Sequence, residues 1–371
     1  MRRTKLKNNV KTILVLVDGM HSATHLGVAR AAHDFGWYLD WGYIEGSGVP
    51  DRFCGDGVLC ALTNDPEMER FVRCSEVPVV DISINRSEVK LPRVVADHPA
   101  IGKIAAEHLL EFGHRNFAWF SFERDAVSRA RLEGFQKKLN KPVIRLDGEF
   151  ARNRGRMAEK LKALPKPCAV FARRDSDAAW LLSLCREEGC DVPGEIAVLG
   201  VDNNPLICEY LQVPLSSVNH DLERLGYEAA RLLDELINGK EPPKSTRLIR
   251  PQGVTVRAST NSFAVLDEPV RDALIYMKNH LSRSLGTMEV ADCVGLTRRM
   301  LEIRFRAATG KTVHQKMIEL RLSAAEQLLR SSALTVEDIS AQCGFCHAQH
   351  LSRLFKFRYG LPPLKYRKSL S

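Results

Sequence analysis

The chain has 371 residues, 44% of them hydrophobic and 27% charged, and a formal net charge of +9. These values suit two or three soluble globular domains and exclude a membrane-spanning helix, because no apolar run approaches the roughly 18 residues that a bilayer requires. The charge is uneven: residues 264–371 hold 17 Lys and Arg against 10 Asp and Glu, a net of +7, while residues 1–263 hold 37 against 35, a net of +2. A near-neutral body with a basic tail implies either a solvated basic face or a nucleic-acid-binding domain at the C-terminal end.

The N-terminus, "MRRTKLKNNVKTILVLVDG", is basic and then apolar. Its apolar core, Ile13 to Val17, is too short for a secretory segment, and no small-residue cleavage site follows, so a buried first strand is expected. Ten cysteines scattered along a chain without an export signal imply reduced thiols and a cytoplasmic location. Most are expected to act as small buried apolar side chains.

Short apolar runs then alternate with amphipathic stretches. "TILVLV" (12–17) leads into a helix-like segment ending near Phe35. "DGVLCAL" (56–62) and "VPVVDIS" (77–83) read as strands, "AIGKIAAEHLLEFG" (100–113) as a helix, and "RNFAWFSF" (115–122), "CAVFAR" (168–173), "IAVLGVD" (196–202) and "RLIRPQGVTVR" (247–257) as further strands. Continuous apolar strands separated by helices imply parallel sheets covered on both faces. Ligands of such sheets bind at loops that follow the strand carboxyl ends. The candidate effector contacts are therefore Asp18 and His21 after the first strand, Asp175 after "CAVFAR", Asp202 and Asn203 after "IAVLGV", and Arg131 at the start of a helix-like stretch after "RNFAWFSF". Convergent carboxylates and donors suit a hydroxylated small molecule, although each Asp at such a place also suits a helix cap or turn.

These residues carry a resemblance. "VVADHPAIGKIAAEHLLEFGHRNFAWF" (94–120), "RLEGF" (131–135), "GEIAVLGVDNNPL" (194–206), "LSSVNHDLERLGYEAARLLDELING" (215–239) and "VRAST" (256–260) resemble, in this order, the LacI/GalR-type effector domain over residues 11–260. The resemblance implies an α/β, two-lobed, periplasmic-binding-protein-like domain with a sugar cleft, and Arg131, Asp175 and Asp202 match positions where that family contacts sugar hydroxyls. Arg173 and Arg174 depart from it, standing where small or amide side chains are usual, so the ligand's identity does not carry over. The helix-turn-helix that precedes the first strand in that family has no counterpart here, since only about ten residues come before "TILVLV".

The tail contains an internal repeat. "VADCVGLTRRMLEIRF" (290–305) and "ISAQCGFCHAQHLSRLF" (339–355) share an apolar, small, apolar, Gly, apolar pattern followed by a helix with Leu and Phe four apart. A helix-turn-helix needs a small residue where its helices cross (Ala291, Ser340), a Gly at the turn, and an apolar residue just after it (Leu296, Phe345). Thr297 is placed to cap the helix after the first turn, and Thr335 with Asp338 forms a capping-box-like pair. The candidate DNA-facing residues are Arg298, Arg299 and Arg304 in the first unit and His347, Gln349, His350 and Arg353 in the second, since Arg pairs bidentately with guanine and Gln with adenine. Lys356, Arg358, Lys365, Arg367 and Lys368 are expected at phosphates. Between the repeats, residues 312–332 place Val313, Met317, Leu320, Ala324 and Leu328 at helical spacing, a stiff link that could hold the two heads about one DNA turn apart. "RLSAAEQLL" (321–329), "CGFCHAQHLSRLFKFRYGLPP" (343–363) and "KYR" (365–367) resemble the AraC/XylS-type DNA-binding domain.

Cys343, Cys346, His347 and His350 fall at i, i+3, i+4 and i+7, one face of a continuous helix, and two thiolates with two imidazoles suit zinc. The Gly344–Phe345 turn interrupts any such helix, and Cys343 stands where Val294 stands in the first repeat, so no metal is expected.

The expected architecture is thus an effector domain over 1–263 followed by an all-α domain over 264–371, with helix-turn-helix units at about 287–308 and 335–358. This order is similar to that of the bacterial xylose-operon regulators. It implies a DNA-binding transcription factor, an activator working as a homodimer on an operator, answering to a sugar such as xylose, and touching RNA polymerase. No cofactor or membrane contact is expected. A sugar receptor without a regulatory role and a repressor answering to a non-sugar ligand are the alternatives. An enzyme is disfavoured because the chain shows no Ser-His-Asp order, no P-loop and no Gly-x-Gly-x-x-Gly.

Overall fold

The computed structural model describes residues 10–18, 22–265, 267–283 and 285–368, except for the side chains of residues 149, 150 and 331. In chain order, the first lobe comprises β1 (Thr12–Leu16), α1 (Ser22–Phe35), β2 (Tyr38–Asp40), β3 (Gly57–Cys60), α2 (Pro66–Arg73) and β4 (Val79–Asp81). Its parallel sheet runs β2-β1-β3-β4. The apolar runs predicted as strands are buried on both faces, which is why they lack alternation.

The chain crosses to the second lobe through β5 (Val94–Ala96) into α3 (His98–Glu111). There follow β6 (Asn116–Ser121), α4 (Ala126–Leu139), β7 (Ile144–Asp147), α5 (Arg154–Lys162), β8 (Cys168–Ala172), α6 (Asp175–Glu187), β9 (Ile196–Val201), α7 (Pro205–Cys208) and β10 (Ser216–Asn219). It returns to the first lobe as α8 (Leu222–Ile237) and β11 (Arg247–Ile249), then crosses again into β12 (Gly253–Thr255). The second sheet runs β12-β10-β9-β8-β6-β7, with only β12 antiparallel, and β5 pairs with β11 beside the crossing. The stretch "RLIRPQGVTVR", expected as one strand, is therefore two. Pro251 lacks the N–H that a ladder needs, and the chain changes sheets there.

Each lobe is tightened by two helices in backbone contact. A Cβ on Gly102 of α3 would lie 2.0 Å from the Arg131 carbonyl oxygen of α4, and one on Gly134 of α4 would lie 2.1 Å from that of Pro99. Gly27 of α1 and Gly226 of α8 do the same in the first lobe.

The remainder is helical: α9 (Glu268–Asn279), α10 (Thr287–Cys293), α11 (Arg298–Thr309), α12 (Val313–Ser331), α13 (Val336–Gln342), α14 (Ala348–Tyr359) and α15 (Pro363–Lys368). Both helix-turn-helix units form as the repeat predicts. Ala291 and Ser340 are buried at the crossings, and Gly295 and Gly344 take the left-handed turn with φ of +66° and +72°. Thr297 caps α11, and Thr335 and Asp338 close the predicted capping box on α13. Helix α12 serves two cores: Val313, Met317 and Leu320 pack with Leu301 and Phe305, and Leu322, Ala325 and Leu329 pack with Leu351 and Phe355. Among the described residues no helix is long and apolar enough to cross a membrane.

Two buried imidazoles set an acid limit on this fold. Burial pushes the pKa of His108 down to about 3 and that of His114 to about 4. Both stay neutral in the folded chain, while an unfolded-chain imidazole titrates near 6.5. Their stabilising contribution is complete above about pH 6.5 and is lost as pH falls from there towards their folded values. At pH 5 the loss is about 2 kcal/mol for each. The native chain and His108→Gln, compared by urea unfolding at pH 7 and pH 5, isolate one ring from the opposing protonation of the buried Asp175: the variant should lose about 2 kcal/mol less on acidification, and an equal loss in both proteins would show the ring to be solvated.

Candidate effector cleft and DNA-binding face

A cleft of about 690 Å³ opens between the lobes. The first lobe lines it with Asp18, Thr24, Tyr43, Asn64 and Asn85, and the second with His98, Asp125, Arg131, Arg173, Arg174, Asp202 and His220.

Arg131 lies on its floor, 4% exposed. Its Nε donates to His98 Nδ1 at 3.3 Å, and its Nη1 donates to the Arg173 carbonyl oxygen. Burial holds the guanidinium's pKa down to about 10, opposed chiefly by the Asp202 charge. It remains a cation at neutral pH. His98 is held well below the usual imidazole range, first by burial and then by Arg131. It is therefore neutral, as an Nδ1 that accepts from an arginine must be.

Asp202 faces Arg131 across 3.9 Å and meets His220 Nε2 at 2.9 Å. Its φ of +111° is unusual for a residue with a side chain, and Asn203 follows at +51°. Asp175 holds this turn in place. Its Oδ1 accepts from Ser217 Oγ at 2.6 Å, and its Oδ2 accepts from the Asn204 N–H at 2.8 Å and from Cys208 Sγ. Both oxygens are occupied and the residue is 1% exposed, so Asp175 supports the cleft from beneath rather than lining it. Burial, and then Asp202, push its pKa up. Asn203 also turns away: its Oδ1 accepts from Arg257 Nη1 at 2.9 Å. The expectation that Asp175 and Asn203 touch an effector is corrected on both counts. Asp18 stands exposed at the rim, and His21 lies outside the described residues.

The departing arginines are held by carboxylates. Arg173 meets Asp125 at 2.5 Å and Glu123 at 3.0 Å, and Arg174 meets Glu123 at 2.8 Å and Asp177 at 3.1 Å. One donor in this set, Arg173 Nε, is buried with no acceptor among the described residues. Sequence reasoning missed His98 and His220. Both follow strand carboxyl ends, β5 and β10, and the rule that selected Asp18 and Asp202 would have found them.

On the helical domain, Arg298, Arg299, His347, Gln349 and Arg353 are exposed on α11, α14 and the residue before α14. Arg298 pairs with Glu302 at 2.9 Å. His350 is half-buried, its ring edge-on to Phe345 at 5.8 Å. Arg304 is half-exposed, and its guanidinium is engaged, its Nε and Nη2 bonded to Asp267 at 2.8 and 3.0 Å. Its expected place on the DNA face is corrected: it ties α11 to the start of α9. Arg367 likewise donates to the Leu329 and Leu334 carbonyls, which removes it from the expected phosphate set. Ile303 and Met300, 60% and 48% exposed on α11, were not anticipated. They occupy the places of Arg353 and His350 in the second unit. Cys343 is buried at the end of α13 and Cys346 is exposed in the turn before α14, so the two cysteines and two histidines share no helix. Among the described residues no group of three or more His, Cys, Asp and Glu is placed to hold a metal.

A two-lobed cleft joined to paired helix-turn-helix units defines a ligand-regulated, DNA-binding transcription factor. Two family models agree: a periplasmic binding protein-like domain matches residues 106–260, and a helix-turn-helix domain matches residues 290–369. The chain is similar to AraC/XylS-type transcriptional regulators with an N-terminal LacI/GalR-like effector domain, the bacterial xylose-operon regulators among them. It is 29% identical over 329 residues to the xylose operon regulatory protein of Escherichia coli K12, covering 84% of each chain. The solved structure of a xylose-binding transcription activator, XylR, matches 98% of this chain and 99% of its own at a TM-score of 0.62 and 26% identity. A cellobiose complex of the regulator CelR matches 67% of this chain and 84% of its own, with a TM-score of 0.55 and 26% identity.

Proposed function

We propose that this chain activates carbohydrate-use genes in the cytoplasm when a pentose, xylose foremost, occupies the cleft. The observation that carries the reading is the 3.9 Å gap between Arg131 Nη2 and Asp202 Oδ1. A single sugar hydroxyl fits there, accepting from the guanidinium and donating to the carboxylate. Arg173 Nε adds a buried donor in need of an acceptor, and Asp18 contributes from the rim. The relatives named for xylose supply the ligand class.

In this reading the effector domain spans 1–263 and the DNA-binding domain 264–371. The protein works as a homodimer on an operator, with RNA polymerase as its further partner. Arg299, Gln349 and Arg353 read base edges, while Arg298, His347 and His350 stand at the groove margin. Lys356, Arg358, Lys365 and Lys368 meet phosphates. Nothing in this role calls for catalysis or a cofactor.

A thermal-shift panel of D-xylose, L-arabinose, D-glucose and cellobiose tests the assignment. A ligand at 100 times its Kd stabilises the folded state by about 2.7 kcal/mol. D-xylose should raise the midpoint by several degrees and cellobiose should not; a rise with cellobiose alone, or with no sugar, would overturn the pentose reading.

A further inference from the structure

Helix α3 spans the distance between the two functional parts. Its first residue, His98, lines the cleft and accepts from Arg131. Its length is locked to α4 by the Gly102 and Gly134 backbone contacts, so Arg131 and α3 move as one body. Just past its far end, Phe112 is 1% exposed and belongs to the core of the first helix-turn-helix unit, with Phe263, Leu274, Met277, Leu301 and Phe305. The Phe112 carbonyl accepts from the Ala264 N–H at 2.9 Å, and Lys278 Nζ of α9 sits 3.6 Å from its ring centre. Helix α9 is in turn tied to α11 by the Asp267–Arg304 pair. Among the described residues, the core of the second unit is built from the tail itself, from Ile318 to Tyr366.

We propose that Phe112 and Lys278 are the positioning residues that carry the state of the cleft to DNA, and that they act on the first helix-turn-helix unit, with the second following through α12. The proposal rests on the reading of the cleft as the effector site and of α11 as a DNA-facing helix. A ligand that shifts the locked α3–α4 pair must shift the Phe112 ring within a packed core, and packed cores change between discrete arrangements rather than deforming smoothly. The exposed Arg271–Asp191 pair, at 3.7 Å, crosses the same seam and adds little.

The test uses the full chain, D-xylose, and a duplex enriched by the protein from random sequence. In the native protein, D-xylose should change DNA affinity by about 5- to 150-fold. In Phe112→Ala and in Lys278→Met, which keeps the apolar contact and deletes the charge, that ratio should fall towards one while calorimetry shows D-xylose binding within about twofold of native. A native-sized ratio in the well-folded Lys278→Met protein, or weakened sugar binding in parallel with the lost ratio, would overturn the proposal. Absence of D-xylose binding to the native protein would instead refute the ligand assignment. A ligand-free arm then decides the coupling. Hydrogen exchange in Phe112→Ala should rise along residues 268–279 and 298–309 but not along 348–359, and a rise common to all three segments, or in none, would contradict it.

Discussion

Replacing Arg131 by alanine is expected to weaken effector binding by about 10- to 100-fold and to erase the sugar's influence on DNA, while DNA binding without sugar persists. The magnitude follows from losing hydrogen bonds from a buried cation to ligand oxygens, each typically 1.5–3 kcal/mol. Two further losses accompany it. His98 Nδ1 and the Arg173 carbonyl oxygen lose their donor, and Asp202 keeps only its neighbours on the far side, His220 among them. Asp202→Asn gives a useful contrast, because it keeps the shape and a hydrogen-bonding group but removes the charge facing the guanidinium. Isothermal calorimetry with D-xylose checks both variants, and native affinity in both would place the ligand elsewhere. Asp175→Asn should act differently. That side chain does not line the cleft, so its cost should appear in stability and in the order of the 202–204 turn before it appears in ligand affinity.

Arg353→Ala is expected to weaken specific DNA binding by about 5- to 150-fold and to relax preference at one base pair. Arg353 is exposed, and no ion pair within the described residues holds its guanidinium. It lies one helical turn beyond Gln349, on the side of α14 opposite the buried Leu351 and Phe355. Lys356→Ala is its control. A phosphate contact carries no sequence information, so its loss should weaken all duplexes alike and lower the slope of log affinity against log salt by about one. Equal effects on matched and mismatched duplexes in Arg353→Ala would assign this residue to the backbone as well. Arg304→Ala should behave unlike either: its loss frees Asp267 and loosens α11 from α9, an effect on stability rather than on base preference.

The helical domain was more legible in the sequence than the cleft, for a physical reason. A helix-turn-helix is local. Its small crossing residue, its left-handed Gly and its capping Thr lie within about twenty residues of one another, and this chain writes them twice. Buried Ala291, Leu301 and Phe305 and their counterparts Ser340, Leu351 and Phe355 stand where the repeat put them. The cleft is assembled from loops far apart in sequence. The rule that ligands gather at strand carboxyl ends found Asp18, Arg131 and Asp202, but it carries no information about side-chain direction. Asp175 and Asn203 satisfy the rule and still point away, because Ser217, the Asn204 N–H and Arg257 claim their oxygens. Arg304 was lost to the same kind of event, since its partner Asp267 is 37 residues distant. Nothing in a helical pattern records a long-range ion pair.

A sugar in the cleft is expected to govern how the paired helix-turn-helix units hold DNA. The most direct test begins by selecting duplexes from a random library with the full chain. Fluorescence anisotropy then gives the affinity of the enriched duplex with and without saturating D-xylose. Two blocks of enriched sequence about 10 base pairs apart are expected, with an affinity that changes at least about fivefold with sugar. Enrichment of a single block, or an affinity indifferent to a sugar that calorimetry shows to be bound, would contradict it.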